Sequence, residues 1–165
     1  MRFALVDRIV ELEPGRRIVA VKNLTMAEEY LADHFPGFPV MPGVLMLQAL
    51  TDAAAWLIRA TDDFAQSIVV LREAASVRYG QFVSPGQKLT LSAEIQERQE
   101  GETRVKVRAT MEGRLTVAAR LVLAHYNLAD RAPAAADRDE AVRRELRGEF
   151  ALLWPQERFV GAPRA

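Results

Sequence analysis

Apolar and polar positions alternate in short runs along this chain, give way once to a long helical run, and then alternate again. Residues 3–12 read as a strand, Glu13-Pro14-Gly15 as a turn and residues 16–24 as a second strand. In the second strand Ile18 and Ala20 share one face with Lys22, while Val19 and Val21 take the other, so the alternation is imperfect. Residues 25–31 suit one helical turn, begun by Thr25 with Glu28 three positions on, as in a capping box. From Val44 to Ala60 no Pro or Gly interrupts a run dominated by Ala and Leu. That run predicts a helix apolar on nearly all sides and therefore buried.

Within residues 67–79 the run Ile68-Val69-Val70-Leu71 has the character of a buried strand. Ser84-Pro85-Gly86 turns the chain, after which Leu89, Leu91, Ala93 and Ile95 alternate with Thr90, Ser92 and Glu94. Beyond Gln99-Glu100-Gly101, Val105, Val107, Ala109 and Met111 alternate with Arg104, Lys106 and Arg108. Glu112-Gly113-Arg114 leads into a last strand over residues 115–125. Two strands, one long helix and about four more strands over residues 1–128 allow an α+β domain in which a curved antiparallel sheet of about six strands wraps around the helix. Residues 129–138 read as a linker and 139–165 as a helical extension. Val142, Leu146, Phe150 and Leu153-Trp154 give that extension an amphipathic helix from about Asp139 to Trp154. Packing back on its own domain is the preferred reading; partner docking and a membrane-surface role are the alternatives.

Composition narrows the function classes. The chain has 165 residues, half of them apolar, enough for one domain with a real core. Lys plus Arg and Asp plus Glu are both 22, so the basic footprint of a nucleic-acid binder is missing. The absence of cysteine excludes disulfides and thiolate metal sites and fits a reducing, cytoplasmic setting. Two histidines exclude a multi-histidine metal site, and no metal or cofactor is expected. No apolar stretch approaches the ~18 residues of a membrane span, and the first apolar run is too short for a signal peptide.

The densest chemistry lies between His34 and Trp56. Pro36, Pro39 and Pro42 fix their own φ and push Phe35, Phe38 and Met41 out of the α region, which predicts a stiff, extended loop. Gly43 opens the helix, and its N–H with that of Val44 belongs to the unpaired, positive end of the helix dipole. Gly43 either stabilises a developing negative charge there or permits the sharp loop-to-helix turn, and the two roles are compatible. Imidazole as a side-chain type suits proton transfer near neutral pH, which makes His34 the natural base; taken alone it reads more readily as a structural loop histidine bonded to backbone. His125, in the middle of a strand pattern, reads as structural.

His34-Phe35-Pro36-Gly37, Pro39 and Pro42-Gly43-Val44-Leu45 resemble, at the same spacing, the active-site segment of the bacterial β-hydroxyacyl-acyl-carrier-protein dehydratases. Leu5-Val6-Asp7-Arg8, Ala20-Val21-Lys22-Asn23 and Val83-Ser84-Pro85-Gly86 extend the resemblance over roughly residues 1 to 126. It implies the hotdog fold and a role in fatty-acid or related acyl biosynthesis, the reversible loss of water from 3-hydroxyacyl thioesters to give trans-2-enoyl thioesters. It also implies that His34 takes the C2 proton while Gly43 and Val44 N–H groups hold the thioester oxygen. One departure stands out: the family's acidic residue falls on Gln48. Asp52 lies one turn on, on the same helix face, where the family often carries Gln. The preferred expectation is that the pair has exchanged roles, with Asp52 supplying the carboxylate and Gln48 orienting water or substrate; the alternative is that Asp52 only hydrogen-bonds within the buried helix, leaving the site impaired.

The resemblance further implies an acyl carrier protein or coenzyme A thioester as substrate. It implies a homodimer, alone or assembled into a hexamer as a trimer of dimers, with His34 and the acid coming from different subunits. Phe38, Val40 and Met41 either line an acyl channel or form interface core. Arg104, Lys106 and Arg108 form a basic stripe, preferably read as a solvated strand face and alternatively as an attractor for an acidic carrier. Two other readings stand beside the dehydratase: a non-catalytic hotdog subunit pairing with an active paralogue, and a hotdog thioesterase.

Overall fold

The computed structural model of the protein describes residues 5–35 and 37–155. Strands β1 (Arg8–Glu13) and β2 (Arg17–Asn23) form an opening hairpin, followed by a 3-10 turn at Glu29–Leu31. Helix α1 (Gly43–Thr61) comes next, then β3 (Ile68–Tyr79), β4 (Lys88–Gln99), β5 (Glu102–Met111), β6 (Arg114–Tyr126) and helix α2 (Ala136–Leu153). The six strands make one antiparallel sheet in the order β1-β2-β4-β5-β6-β3. Its inner face lies on α1, which touches β2, β3, β4, β5 and β6. This is the expected α+β arrangement, a sheet curved around one helix.

Side-chain period explains the wrapping. On β5, Thr103, Val105, Val107, Ala109 and Met111 point inward, while Arg104, Lys106 and Arg108 point to solvent. Ala49, Ala53 and Ala54 of α1 are wholly buried, and their small size lets the sheet approach the helix closely.

Four details differ from the sequence expectations. The first strand begins at Arg8; Leu5 and Val6 are buried ahead of it, and Phe3 lies outside the described residues. The helical turn after β2 is shorter than expected: Thr25 Oγ1 accepts from the Ala27 N–H at 3.3 Å, and the 3-10 turn starts only after Glu28. Helix α1 is not enclosed on all sides, since Val44 and Gln48 are exposed near its start. Finally, β3 is an edge strand and mostly exposed, with Val70 45% and Leu71 37% accessible. An apolar run reports that a surface favours burial, not which neighbour covers it; β6 covers one edge of β3 and leaves the other open.

Past β6 the chain turns tightly rather than running free, with 3-10 turns at Leu128–Asp130 and Pro133–Ala135. Asp139 is buried at the start of α2 and accepts from Ser67 Oγ and, at 2.9 Å each, from the Leu128 and Ala129 N–H groups. Burial alone would raise the pKa of its carboxyl, but the Ser67 hydroxyl, the two N–H groups and the nearby Arg143 charge outweigh it and lower the pKa. Phe150 then packs 6.0 Å from Trp56 and 5.3 Å from Phe64, ring centre to ring centre, and Arg147 donates to Asp63 Oδ1 at 2.8 Å. Helix α2 thus lies back on the C-terminal half of α1.

Candidate active site

His34 is fixed from two directions. Its backbone N–H donates to Tyr30 O at 3.2 Å, at the end of the 3-10 turn. Its ring Nδ1 lies 3.2 Å from Val40 O. A carbonyl oxygen only accepts, so Nδ1 carries a hydrogen, and in the neutral ring Nε2 is then the nitrogen with the lone pair. The Phe35 ring stands edge-on against the imidazole, 4.3 Å between centres.

The proline loop is less extended than its prolines suggest. Phe35 takes φ 58° and Gly37 φ 89°, and the Phe38 N–H donates to Phe35 O at 2.8 Å; Pro36 lies outside the described residues. A left-handed φ is unusual for a bulky residue and costs about 1 kcal/mol. The Met41 N–H then donates to Val83 O at 2.8 Å, tying the loop to the segment before β4. Val40 and Met41 are sealed in the core, at 0% and 1% exposure. Of the three residues expected to line a channel, Phe38 alone has an accessible face, and its ring meets that of Phe82 edge-on at 6.2 Å.

At the start of α1, the Leu45 and Met46 N–H groups donate back to Pro42 O at 3.0 and 3.1 Å. The Gly43 and Val44 N–H groups precede these bonds and have no acceptor among the described residues. A Cβ on Gly43 would lie 2.9 Å from the Tyr79 ring, so the glycine admits an aromatic side chain against the helix start. Sequence reasoning missed Tyr79. A signal exists in Gly80, whose missing Cβ clears the carbonyl oxygen of Leu115 and lets β3 end close to β6.

Gln48 and Asp52 meet as their spacing implies: Gln48 Nε2 donates to Asp52 Oδ1 at 2.7 Å. Gln48 is exposed and Asp52 half-buried. His34 bonds instead to Tyr30 O and Val40 O, within its own loop and turn. His125 is buried, with Nε2 3.1 Å from Thr103 Oγ1, and burial lowers the pKa of its ring. That environment fits a structural histidine. Of the basic stripe on β5, Arg104 pairs with Glu97 at 3.3 Å, and all three side chains lie in solvent.

The FabA-like domain model matches residues 1–124. The chain is 40% identical over 113 residues to the 3-hydroxyacyl-[acyl-carrier-protein] dehydratase FabZ of Ruminiclostridium cellulolyticum, covering 68% of this chain and 80% of that relative. It is 41% identical over 123 residues to the FabZ of Thiobacillus denitrificans, covering 73% and 85%. Among solved structures, the dehydratase heterocomplex ApeI:P from Xenorhabdus doucetiae superposes with a TM-score of 0.65 at 14% identity, over 81% of this chain and 90% of that one. A hypothetical thioesterase with coenzyme A from Streptococcus pneumoniae does so at 0.56 and 15%, over 73% and 85%. These last two likenesses concern the fold alone. A match that runs from the first strand through the proline loop and across nearly the whole sheet makes this chain a member of the FabA-like domain family.

Proposed function

We propose that the protein is a 3-hydroxyacyl-acyl-carrier-protein dehydratase, a hydro-lyase that interconverts 3-hydroxyacyl and trans-2-enoyl thioesters. The observation that carries the reading is the His34 imidazole, its Nδ1 held by Val40 O so that Nε2 is the basic nitrogen of the neutral ring. Nε2 removes the C2 proton, and the electrons move onto the thioester oxygen. The unpaired Gly43 and Val44 N–H groups stabilise the charge that develops there. Loss of the 3-hydroxyl then needs a proton donor. Asp52 in its protonated form supplies it, with Gln48 fixing the orientation of the carboxyl group; in the hydration direction the carboxylate takes the proton from water. Phe38 and Phe82 provide an apolar wall for the acyl chain.

The thioester carrier is an acyl carrier protein, the substrate form named for the FabZ relatives. The working unit is a homodimer in which His34 faces the partner subunit's Asp52. The open edge of β3 and the exposed Phe35, Phe38, Val44 and Phe82 support that assembly, since so much apolar surface around one site is unusual for a lone chain.

Hydration of a short trans-2-enoyl thioester tests the reading. Wild type should be active, and His34→Ala and Asp52→Asn should each lose at least ~100-fold in kcat, a typical loss for one acid–base group. An unchanged rate in Asp52→Asn would sink the exchange of roles. Gln48 in the family's acid position favours one second reading, a subunit that binds acyl thioesters and relies on an active paralogue. It predicts that the protein alone is inert and that Gln48→Glu awakens it.

A further inference from the structure

Lys22 is an ammonium group turned inward. It follows Ile18 and Ala20 along the buried face of β2 and is itself only 5% exposed. Its Nζ donates to Glu28 Oε1 at 2.7 Å and to Asp7 Oδ1 at 3.3 Å. Asp7 Oδ2 accepts in turn from the Asn23 N–H at 2.6 Å and from Asn23 Nδ2 at 3.3 Å. Lys22 is the desolvated member, while Glu28 is half-buried and Asp7 exposed. Burying the ammonium is costly, and an apolar side chain of similar volume often stabilises a fold as well, so a purely structural role is a weak reason for a charge at this position.

The cluster holds the segment that leads to His34. Glu28 is the residue from which the chain enters the 3-10 turn at Glu29–Leu31. The Leu31 N–H donates to Glu28 O at 3.0 Å, the Ala32 N–H to Glu29 O at 3.2 Å, and the His34 N–H to Tyr30 O at 3.2 Å. A carboxylate clamped to β2 is thus followed by a short ladder of backbone bonds that ends on the histidine. Tyr30, inside the turn, is close enough to the cluster that burial, and after it the charges of Glu28 and Asp7, push its phenol pKa up.

We propose that Lys22, bridging Asp7 and Glu28, is a positioning residue: it locks the turn onto β2 and so holds His34 in the one tautomer and orientation the reaction uses. The inference rests on His34 being the base, so its test carries a readout separate from activity. Only two histidines are present, and nitrogen NMR resolves the two rings once the His125 signal is identified by its loss in His125→Gln. Lys22→Met and Glu28→Gln are compared with wild type, first for folding by circular dichroism and then for ring tautomer and hydration kinetics. Glu28→Gln is the milder change, because it keeps the Lys22–Asp7 pair, and it decides the matter if Lys22→Met does not fold.

In the folded variants the His34 ring should lose its single Nδ1-protonated tautomer. The kcat should fall ~10- to 100-fold with KM within about twofold, as expected for a reacting group displaced by about 1 Å. Lys22→Arg, which keeps the charge, should recover much of the loss. A folded Lys22→Met or Glu28→Gln with wild-type tautomer and kcat overturns the proposal. Retained activity in His34→Ala would instead remove the base reading, and the tautomer measurement would still decide whether the anchor exists.

Discussion

Burial holds the His125 ring below its ordinary pKa of 6.5, the Asp62 charge opposes that, and the Arg98 charge adds to it. In the unfolded chain the imidazole takes up a proton more readily than in the native one. Its contribution to stability is therefore complete above about pH 6.5 and is lost as the pH falls from there toward the lowered native value. Urea midpoints at pH 8.0, 6.5 and 5.5 should show wild type weakening on the last step and His125→Gln weakening less; equal losses would mean that this ring does not govern the slope. Gly43 gives a second prediction at this scale. Gly43→Ala must displace the Tyr79 ring, and it should lower hydration activity more than it lowers the thermal midpoint. The reverse ranking would make the glycine a packing device only. The Gln48–Asp52 contact was legible in the sequence because helix spacing is a local property, whereas His34 and Gly43 stood out through the motif that carries the family resemblance. Lys22 was half legible: its register pointed inward beside Ala20, but its acidic partners come from the β1–β2 pairing and from the turn beyond, and no spacing rule brings those together.

At the level of elements, β4 and β5 could be read directly, because one covered and one wet face make a clean alternation. Strand β3 misled, because its apolar run marks a surface left open at the sheet edge rather than a central strand. Helix α2 was visible as an amphipathic pattern, yet nothing in that pattern named Trp56 and Phe64 as its seat. The seat has a measurable energy. Phe150→Ala removes a half-buried ring from two aromatic neighbours and should cost about 2 kcal/mol, read as a lower urea midpoint at unchanged slope. A shift within error would mean that α2 rests on the domain without bracing it.

For the molecule as a whole, the balance of charges leaves apolar surface as the chief means of association. Sedimentation should show a dimer whose dissociation responds weakly to salt, and Leu71→Lys on the open edge of β3 should shift it toward monomer together with loss of activity. A fully active monomer would remove the shared-site reading. The order of the sheet has one more consequence. Although β3 precedes β4 in the chain, it pairs with β6, Ile68 opposite Tyr126 and Tyr79 opposite Val117. The meander from β4 to β6 closes through short turns and pairs early, while β3 must wait for a distant partner. Val107→Ala should accordingly slow refolding, and Val69→Ala should mainly speed unfolding. During synthesis, the apolar strand that becomes the sheet edge stays unpaired until β6 has left the ribosome, and that interval is when the nascent chain is most open to aggregation.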